Sequence, residues 1–354
     1  MIFRKDARLL VAIFLRLAPA AARAEKIVSV GVDGTQFSVS LDSGRVLNSE
    51  ALSGAEFDVA LPGGERRRVR IASVRRDPVD PDGDVFLHRM QVADPSGAWV
   101  ELCKPDATGA RWAFPLRGQW DGEGRRLSDR GLMLTCASDV IGKCVRFGHK
   151  PWKTGPDGVA LADYHAACVK AVRADYCGDR ATTRNGQLID IYDARSIQRR
   201  DTTRPSEALP FKAAFSPSGA LCVAHTRVPE NMTLDALAAT CPRLAQYLGQ
   251  ARCLEDEAIA GHYGLSMIFI RSPAGARDQP PPQAQMPASG PSGSTVIALT
   301  ALAAVVAFPA LARIGSNGIN PNGVSPNGIS AVAPTGAVDD VYAIVLPGGE
   351  TISR

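Results

Sequence analysis

Histidine and aspartate side chains are the groups in this sequence that could carry acid–base chemistry. The histidines, and the aspartates near predicted helix ends and turns, are His88, His149, His165, His225, His262, Asp163, Asp175, Asp190 and Asp193. Two of the carboxylates could serve glycoside hydrolysis, but His165 and Asp163 are two positions apart and do not face each other on a helix. The sequence lacks the Gly-x-Ser-x-Gly elbow, a Walker loop, a dinucleotide fingerprint and a His-Glu-x-x-His zinc helix. We therefore predict no cofactor and assign no catalytic residue.

Cysteines are the second group with chemical potential. The 8 cysteines are Cys103, Cys136, Cys144, Cys168, Cys177, Cys222, Cys241 and Cys253. An even number in an exported chain predicts disulfide bonds for all of them. A zinc site is the alternative, because His165-Ala-Ala-Cys168 resembles half of a knuckle, but no Cys-x2-Cys pair completes it. We predict disulfides and no metal.

The cysteine spacing suggests a pairing. Cys136 and Cys144 are eight positions apart and Cys168 and Cys177 are nine apart, which gives ~12 Å and ~13.5 Å along two helices. Antiparallel packing of those helices would join Cys144 to Cys168 and Cys136 to Cys177. Elimination then leaves Cys241 with Cys253 and Cys103 with Cys222. This connectivity is a hypothesis, since eight cysteines allow ~105 pairings.

Two charged clusters stand close together in the first third of the chain. Asp77, Asp80, Asp82 and Asp84 surround Gly83, but the glycine precedes the third acid and Gln91 stands where a calcium loop needs its glutamate, so we predict a hairpin tip. Six arginines between Arg66 and Arg76 alternate with Val69, Ile71 and Val74, which predicts a strand with one solvated face, as on a sheet edge. An anionic partner in the cell envelope is the alternative interpretation.

Residues 1–24 have the features of a secretory signal. Arg4, Lys5 and Arg8 precede an apolar run over 9–17, and small residues end at Ala24. Removing this segment takes away five basic groups and one acid, which cancels the formal net charge of +4. The mature chain is then neutral, so its overall charge gives no reason to expect nucleic acid as a partner.

The predicted elements indicate an α+β fold. Short alternating runs separated by turn pairs predict an antiparallel β module over 25–115, built on segments such as 37–41, 57–61, 69–71 and 99–102. A mixed cysteine-rich domain follows over 116–272, with helices near 137–147, 160–176 and 234–248 and strands near 187–192, 211–215, 221–225 and 265–270.

The rest of the chain changes in composition. A Pro, Ser and Gly linker over 273–294 leads into an apolar run, predicted as a transmembrane helix over 295–313. A pentapeptide repeat of Asn-Gly turns follows, and we predict a disordered tail over 314–354. The pentapeptide Leu61-Pro-Gly-Gly-Glu65 recurs as Leu346-Pro-Gly-Gly-Glu350. That recurrence is either chance or a truncated second copy of the β module.

The second domain resembles a known family. Ala174-Asp175-Tyr176-Cys177-Gly178, with Lys143-Cys144-Val145-Arg146 and Lys150-Pro151-Trp152 before it and Ile189-Asp190-Ile191-Tyr192-Asp193 after it, resembles the ADYC domain family of exported bacterial proteins over about 116–270. The resemblance implies export and a cysteine framework, and no activity. The same segment has a structural interpretation, in which Asp175 and Gly178 end a helix, Tyr176 is buried and Cys177 locks the end.

These observations favour a non-catalytic, envelope-associated binding protein with an unidentified envelope or extracellular partner. The alternative is a secreted hydrolase that uses Asp and His side chains of the cysteine-rich domain. A concave pocket that joins Asp175 or Asp193 to His149 or His165 would favour the hydrolase.

Overall fold

The computed structural model describes residues 25–60, 66–106, 108–120, 126–155, 158–184, 186–203, 209–273, 337–338 and 340–354. This part of the chain is mostly β-rich, with few helices and three disulfide bonds. The strands are β1 (Ile27–Asp33), β2 (Gln36–Leu41), β3 (Val46–Asn48), β4 (Glu56–Ala60), β5 (Arg66–Arg76), β6 (Phe86–Ala93), β7 (Trp99–Glu101), β8 (Trp112–Trp120), β9 (Arg126–Cys136), β10 (Asp190–Asp193), β11 (Phe211–Ser216), β12 (Gly219–Val223), β13 (Ile268–Arg271), β14 (Ala337–Val338), β15 (Asp340–Val345) and β16 (Thr351–Ser353). The helices are α1 (Val140–Arg146), α2 (Leu161–Arg173), α3 (Leu234–Thr240), a 3₁₀ helix (Pro242–Tyr247) and α4 (Glu255–Ile259).

The largest sheet is antiparallel and includes the C-terminal strands of the described chain. Its strand order is β14-β9-β8-β6-β5-β4-β15-β16, with β7 paired to β6. The C-terminal segment pairs first with β9, through Ala337 and Val338, and then with β4, from Asp340 to Val345. One segment therefore joins the two outer strands of the sheet that β4 to β9 form. A separate sheet of β1, β2 and β3 precedes it.

Both faces of the large sheet bury apolar side chains. On the inner face, Phe57, Ile71 and Met90 pack with Val341 and Ile344 of β15 in one cluster. On the outer face, side chains from β6, β8 and β9 pack against α1, α2 and the sheet formed by β10 to β13. These side chains are Leu87, Phe114, Leu116 and Met133. The helices cover only part of this outer face, and its remaining part is the surface discussed below.

The sheet formed by β10 to β13, called the second sheet below, has the order β10-β13-β11-β12 and is antiparallel throughout. Helix α2 packs on it. Its apolar residues recur every three or four positions, and from Ala167 to Arg173 every residue of the helix is buried. Every helix and strand that the sequence predicted over 137–270 has a counterpart here, although the segment 234–248 divides into α3 and the 3₁₀ helix.

The disulfide bonds join Cys103 to Cys136, Cys144 to Cys168 and Cys222 to Cys253. The predicted bond between Cys144 and Cys168 is confirmed. The predicted pairs Cys136–Cys177, Cys241–Cys253 and Cys103–Cys222 are wrong. The error comes from Cys136, which ends strand β9, whereas the pairing hypothesis placed it on one helix with Cys144. Cys177 and Cys241 are thiols in this structure.

Two predicted boundaries also change. The boundary between 115 and 116 falls inside β8, so the large sheet takes strands from both predicted domains. The predicted disordered tail over 314–354 is wrong for 340–345 and 351–353, which form strands. Val341 and Ile344 are three positions apart, and a register shift between Val341 and Ala343 places them opposite Val59 and Phe57, so that both are buried on one face.

The predicted linker at 274–294, the apolar run at 295–313 and the Asn-Gly repeat lie outside the described residues, as does the predicted signal at 1–24. Within the described residues, we find no helix with the length and hydropathy to cross a membrane.

Candidate functional site

The segment 174–178 ends helix α2 and is buried. Ala174 adopts the left-handed conformation (φ 51°) and is the C-cap of the helix. The Asp175 carboxylate, 0% exposed, accepts hydrogen bonds from the backbone N–H of Gly178 (2.8 Å) and Arg180 (3.1 Å) and from Nζ of Lys170 (2.8 Å). The left-handed cap falls on Ala174, whereas the sequence suggested Gly178. The carboxylate fixes the turn that follows the helix.

The tyrosine of this segment connects α2 to the rest of the domain. Its hydroxyl accepts a hydrogen bond from the backbone N–H of Arg227 (2.8 Å), and its carbonyl accepts one from Ala220 (2.9 Å). Burial raises the pKa of Tyr176 to about 12, so the phenol stays neutral. These contacts agree with a structural role for Asp175 and Tyr176.

His149 and Asp193 are the one histidine–aspartate pair among the predicted site residues that the described structure brings into contact. Nε2 of His149 lies 3.1 Å from Oδ2 of Asp193, and both side chains are 0% exposed. Burial alone would raise the pKa of Asp193. The hydrogen bonds from His149 and from backbone N–H groups outweigh that effect, so the pKa of Asp193 is lowered overall. The carboxylate also accepts from the N–H groups of Arg195 (2.7 Å) and Gln198 (2.6 Å). The pair holds this turn, and both side chains are closed to solvent.

His165, another of the predicted residues, lies in the core. Nε2 of His165 donates to the carbonyl of Ile141 (3.1 Å) inside the core. An open groove of about 450 Å³ lies where β1, β9 and the C-terminal strand meet, and its lining includes Arg117, Asp129 and Arg130. Neither His149, His165, Asp175 nor Asp193 lines that groove. The pocket that would favour the hydrolase is therefore not this groove.

A buried lysine beside a serine is a pairing that the sequence did not reveal. Nζ of Lys212 donates to Oγ of Ser272 at 2.8 Å, and the two residues are 0% and 1% exposed. Burial lowers the pKa of Lys212 well below its usual range. A neutral amine beside a hydroxyl is what a lysine general base requires, but this pair is closed to solvent.

The aspartate cluster forms the tip of the hairpin between β5 and β6, as the sequence predicted. Nζ of Lys150 contacts Asp80 (2.6 Å), Asp82 (2.9 Å) and Asp84, and Lys153 contacts Asp82 (2.7 Å) and Asp84 (2.6 Å). Burial alone would raise the pKa of Asp84. The hydrogen bonds from both lysines outweigh that effect and lower the pKa of Asp84 to about 2. The ammonium groups of Lys150 and Lys153 thus contact the carboxylate oxygens that a metal cation would bind.

The uncovered part of the outer sheet face carries stacked arginines. We define the arginine face as Arg66, Arg68, Arg70, Arg75 and Arg89 with the rings Trp99, Trp112 and Tyr342. The guanidinium carbons lie 4.0 Å (Arg66 over Tyr342), 4.6 Å (Arg70 over Trp99), 5.4 Å (Arg68 over Trp99) and 4.3 Å (Arg75 over Trp112) from the ring centroids. The strand with one solvated face is confirmed by this arrangement, but β5 lies between β4 and β6 and is not an edge strand.

Carboxylates neutralise only part of the arginine face. Arg66 lies 3.7 Å from Asp58, Arg68 lies 3.8 Å from Glu56, and Arg89 contacts Glu101 at 2.5 Å. The first two distances are longer than a hydrogen bond, and the side chains of Arg66 and Arg68 are 60% and 54% exposed. Five guanidinium groups therefore share three carboxylates at a solvated surface.

A ring lies under four of the five guanidinium groups, those of Arg66, Arg68, Arg70 and Arg75. Nε and Nη2 of Arg70 also donate to Oε1 of Gln91, at 3.1 and 2.5 Å. A planar guanidinium binds carboxylate or phosphate oxygens through two parallel N–H groups. Stacking reduces the number of side-chain conformations that binding must freeze. The sequence showed the arginines, but the rings come from β7, β8 and β15, and only the fold places them there.

A family model of the ADYC domain matches residues 49–229. The match begins earlier than the resemblance had indicated and includes β4 to β9, and it ends before Cys241. No curated protein and no solved structure matches the chain. The family match covers more than half of the 354 residues, and the chain belongs to the ADYC domain family.

Proposed function

We propose that this member of the ADYC domain family is an exported, non-catalytic binding protein of the cell envelope, and that its arginine face holds an anionic glycan polymer. The observation that carries the proposal is the row of arginines stacked on Trp99, Trp112 and Tyr342. Export to the periplasm or cell surface is supported by the features of residues 1–24 and by three disulfides whose cysteines are buried.

The spacing of the row supports a polymer as the ligand. Arg66, Arg68 and Arg70 alternate along one strand, so the Cα atoms of neighbouring arginines are ~7 Å apart and the row extends over ~14 Å of backbone. A linear chain with repeated carboxylate or phosphate groups can contact several of them at once, and the contacts add through effective concentration. The mature chain has no net charge, so this attraction would be local to one surface.

The secreted hydrolase receives less support. Its predicted residues are buried, since His149 and Asp193 are each 0% exposed and Asp175 is held by backbone N–H groups. The class α+β is retained as part of the proposal, with the large sheet and the helix-covered second sheet as its two parts.

A binding titration of residues 25–354 tests the proposal. We expect the chain to bind a polyuronate or lipopolysaccharide and not the neutral polymer dextran, and affinity to fall as salt rises. The double variant Arg68→Gln with Arg70→Gln should bind about tenfold or more weakly, which is about 1.4 kcal/mol. Arg252→Gln is the matched control, because Arg252 is exposed and lies on the other domain.

Two further measurements make the test specific. Arg68→Lys with Arg70→Lys keeps the charge but removes the planar fork, so its affinity should lie between those of the wild type and the Gln variant. Equal binding by the wild type and the Gln variant, or binding to single-stranded DNA as tight as to the glycan, would show the proposal to be wrong.

A further inference from the structure

Cys177 and Cys241 differ from the other six cysteines in exposure and bonding. The six that form disulfides are each 0–2% exposed, whereas Cys241 is 6% exposed and Cys177 is half-buried. Cys177 follows helix α2, and Cys241 is the C-cap of α3. Both are thiols, and both pack against the same apolar cluster.

Arg243 connects the two segments that carry these thiols. Nη2 of Arg243 donates to the carbonyls of Tyr176 (3.0 Å) and Cys177 (3.4 Å), and its Nη1 donates to Ala220 (2.5 Å). Cys241 is among the groups that surround the Cys177 thiol. Arg243 follows Cys241 by two residues, so its guanidinium joins the segment of Cys241 to the carbonyl of Cys177.

We propose that Cys177 and Cys241 are a reversible oxidation site, and that they form a disulfide which soluble thiols and disulfides can reach while the three buried disulfides stay intact. The proposal is independent of the arginine face. It concerns the half-buried cysteine of the segment 174–178, and its partner lies outside the 49–229 family match.

The reaction is a thiol–disulfide exchange with a low-molecular-weight disulfide as the oxidant. The Cys177 thiol loses its proton, its sulfur attacks the oxidant, and one thiol leaves, so that Cys177 carries a mixed disulfide. The deprotonated Cys241 sulfur then attacks Sγ of Cys177, and the second thiol leaves. The two protein thiols lose two electrons and two protons, and the oxidant disulfide becomes two thiols.

The local environment makes this exchange slow at neutral pH. Burial, the neighbouring thiol and Asp179 raise the pKa of Cys177 to about 12, so little of the reactive thiolate is present. We expect the rate of oxidation to rise with pH. Reduction requires an external thiolate to reach Cys177, the more exposed of the two.

Alkylation and peptide mapping of natively folded residues 25–354 test the proposal. After reduced glutathione, iodoacetamide should modify Cys177 and Cys241 and leave the other six cysteines unmodified. After oxidised glutathione, neither cysteine should react, the mass should fall by two hydrogen atoms, and one cross-linked peptide should contain both cysteines.

Single variants separate the two steps. Cys241→Ser should stop the exchange at a glutathione adduct on Cys177, because the second thiol is gone. Cys177→Ser should give less adduct, because Cys241 is 6% exposed. The proposal would be overturned if Cys177 and Cys241 both remained alkylatable after oxidised glutathione. It would also be overturned if all eight cysteines were modified equally after mild reduction. The wild-type mapping decides the question if a variant does not fold.

Discussion

At the residue scale, burial sets the charge of the histidines in the two cores. Burial lowers the pKa of His88 from 6.5 to about 4 and that of His165 from 6.5 to about 3. Each ring is neutral and hydrogen-bonded through Nε2, to Oγ of Ser49 (2.8 Å) and to the carbonyl of Ile141 (3.1 Å). These histidines are structural, although the sequence offered them for acid–base chemistry.

The depressed pKa values predict a loss of stability in mild acid. The unfolded chain binds a proton on each histidine below about pH 6.5, whereas the folded chain does so only near pH 4 or pH 3, so unfolding is favoured as pH falls. For His88 the complete loss is about 3 kcal/mol. Between pH 6.5 and pH 4 the free energy of unfolding should decrease in both the wild type and His88→Gln. The decrease should be smaller in His88→Gln, by about 3 kcal/mol.

Denaturant titrations at several pH values measure this effect. His262→Gln is the matched control, because His262 is exposed. Identical pH dependence in His88→Gln and the wild type would contradict the assignment of a neutral buried ring.

At the element scale, the C-terminal hairpin of β15 and β16 is paired to β4 of the large sheet. Leu61-Pro-Gly-Gly-Glu65 follows β4, and Leu346-Pro-Gly-Gly-Glu350 forms the turn between β15 and β16. β15 pairs with β4 in antiparallel register, with Ile344 opposite Phe57. In the sequence, the pentapeptide therefore stands between the paired strands β4 and β5 and again between the paired strands β15 and β16.

This pairing predicts that the C-terminal strand stabilises the large sheet. Ile344 is 0% exposed and lies in the inner core, so Ile344→Ala should lower the free energy of unfolding by about 2–5 kcal/mol. Thr351→Ala, an exposed position in the same hairpin, should change it by less than about 0.5 kcal/mol. Thermal and denaturant unfolding of residues 25–354 give both values. No difference between the two variants would mean that the segment behaves as a tail.

The sequence was informative where local patterns decide the structure. The periodicity of α2 and the alternation of β2 and β5 predicted their buried faces, because each pattern requires one apolar stripe. Long-range pairings left no such local sign. The return of 340–345 to β4, the contact of Lys150 with Asp80 and the bond from Cys103 to Cys136 all join residues far apart in sequence. The stacked rings of the arginine face were missed for the same reason.

At the scale of the whole molecule, strand pairing constrains where the apolar run at 295–313 can lie. β4 precedes that run and β15 follows it, and the two strands are paired from Glu56 to Ala60. A single crossing of a bilayer by the run would put β4 and β15 on opposite sides. The pairing and a single crossing therefore exclude each other in one molecule.

A cysteine cross-link between β4 and β15 in intact cells tests this constraint. Glu56 and Val345 are cross-strand partners, so Glu56→Cys with Val345→Cys should form a disulfide in the full chain, whereas Glu56→Cys with Thr351→Cys should not. We also expect alkaline carbonate to release the linked chain from membranes, because only a surface contact holds it there. The prediction would be contradicted by a chain that stays in the carbonate pellet and whose two cysteines are not linked. That result is expected if the apolar run crosses the bilayer once and separates the C-terminal hairpin from β4.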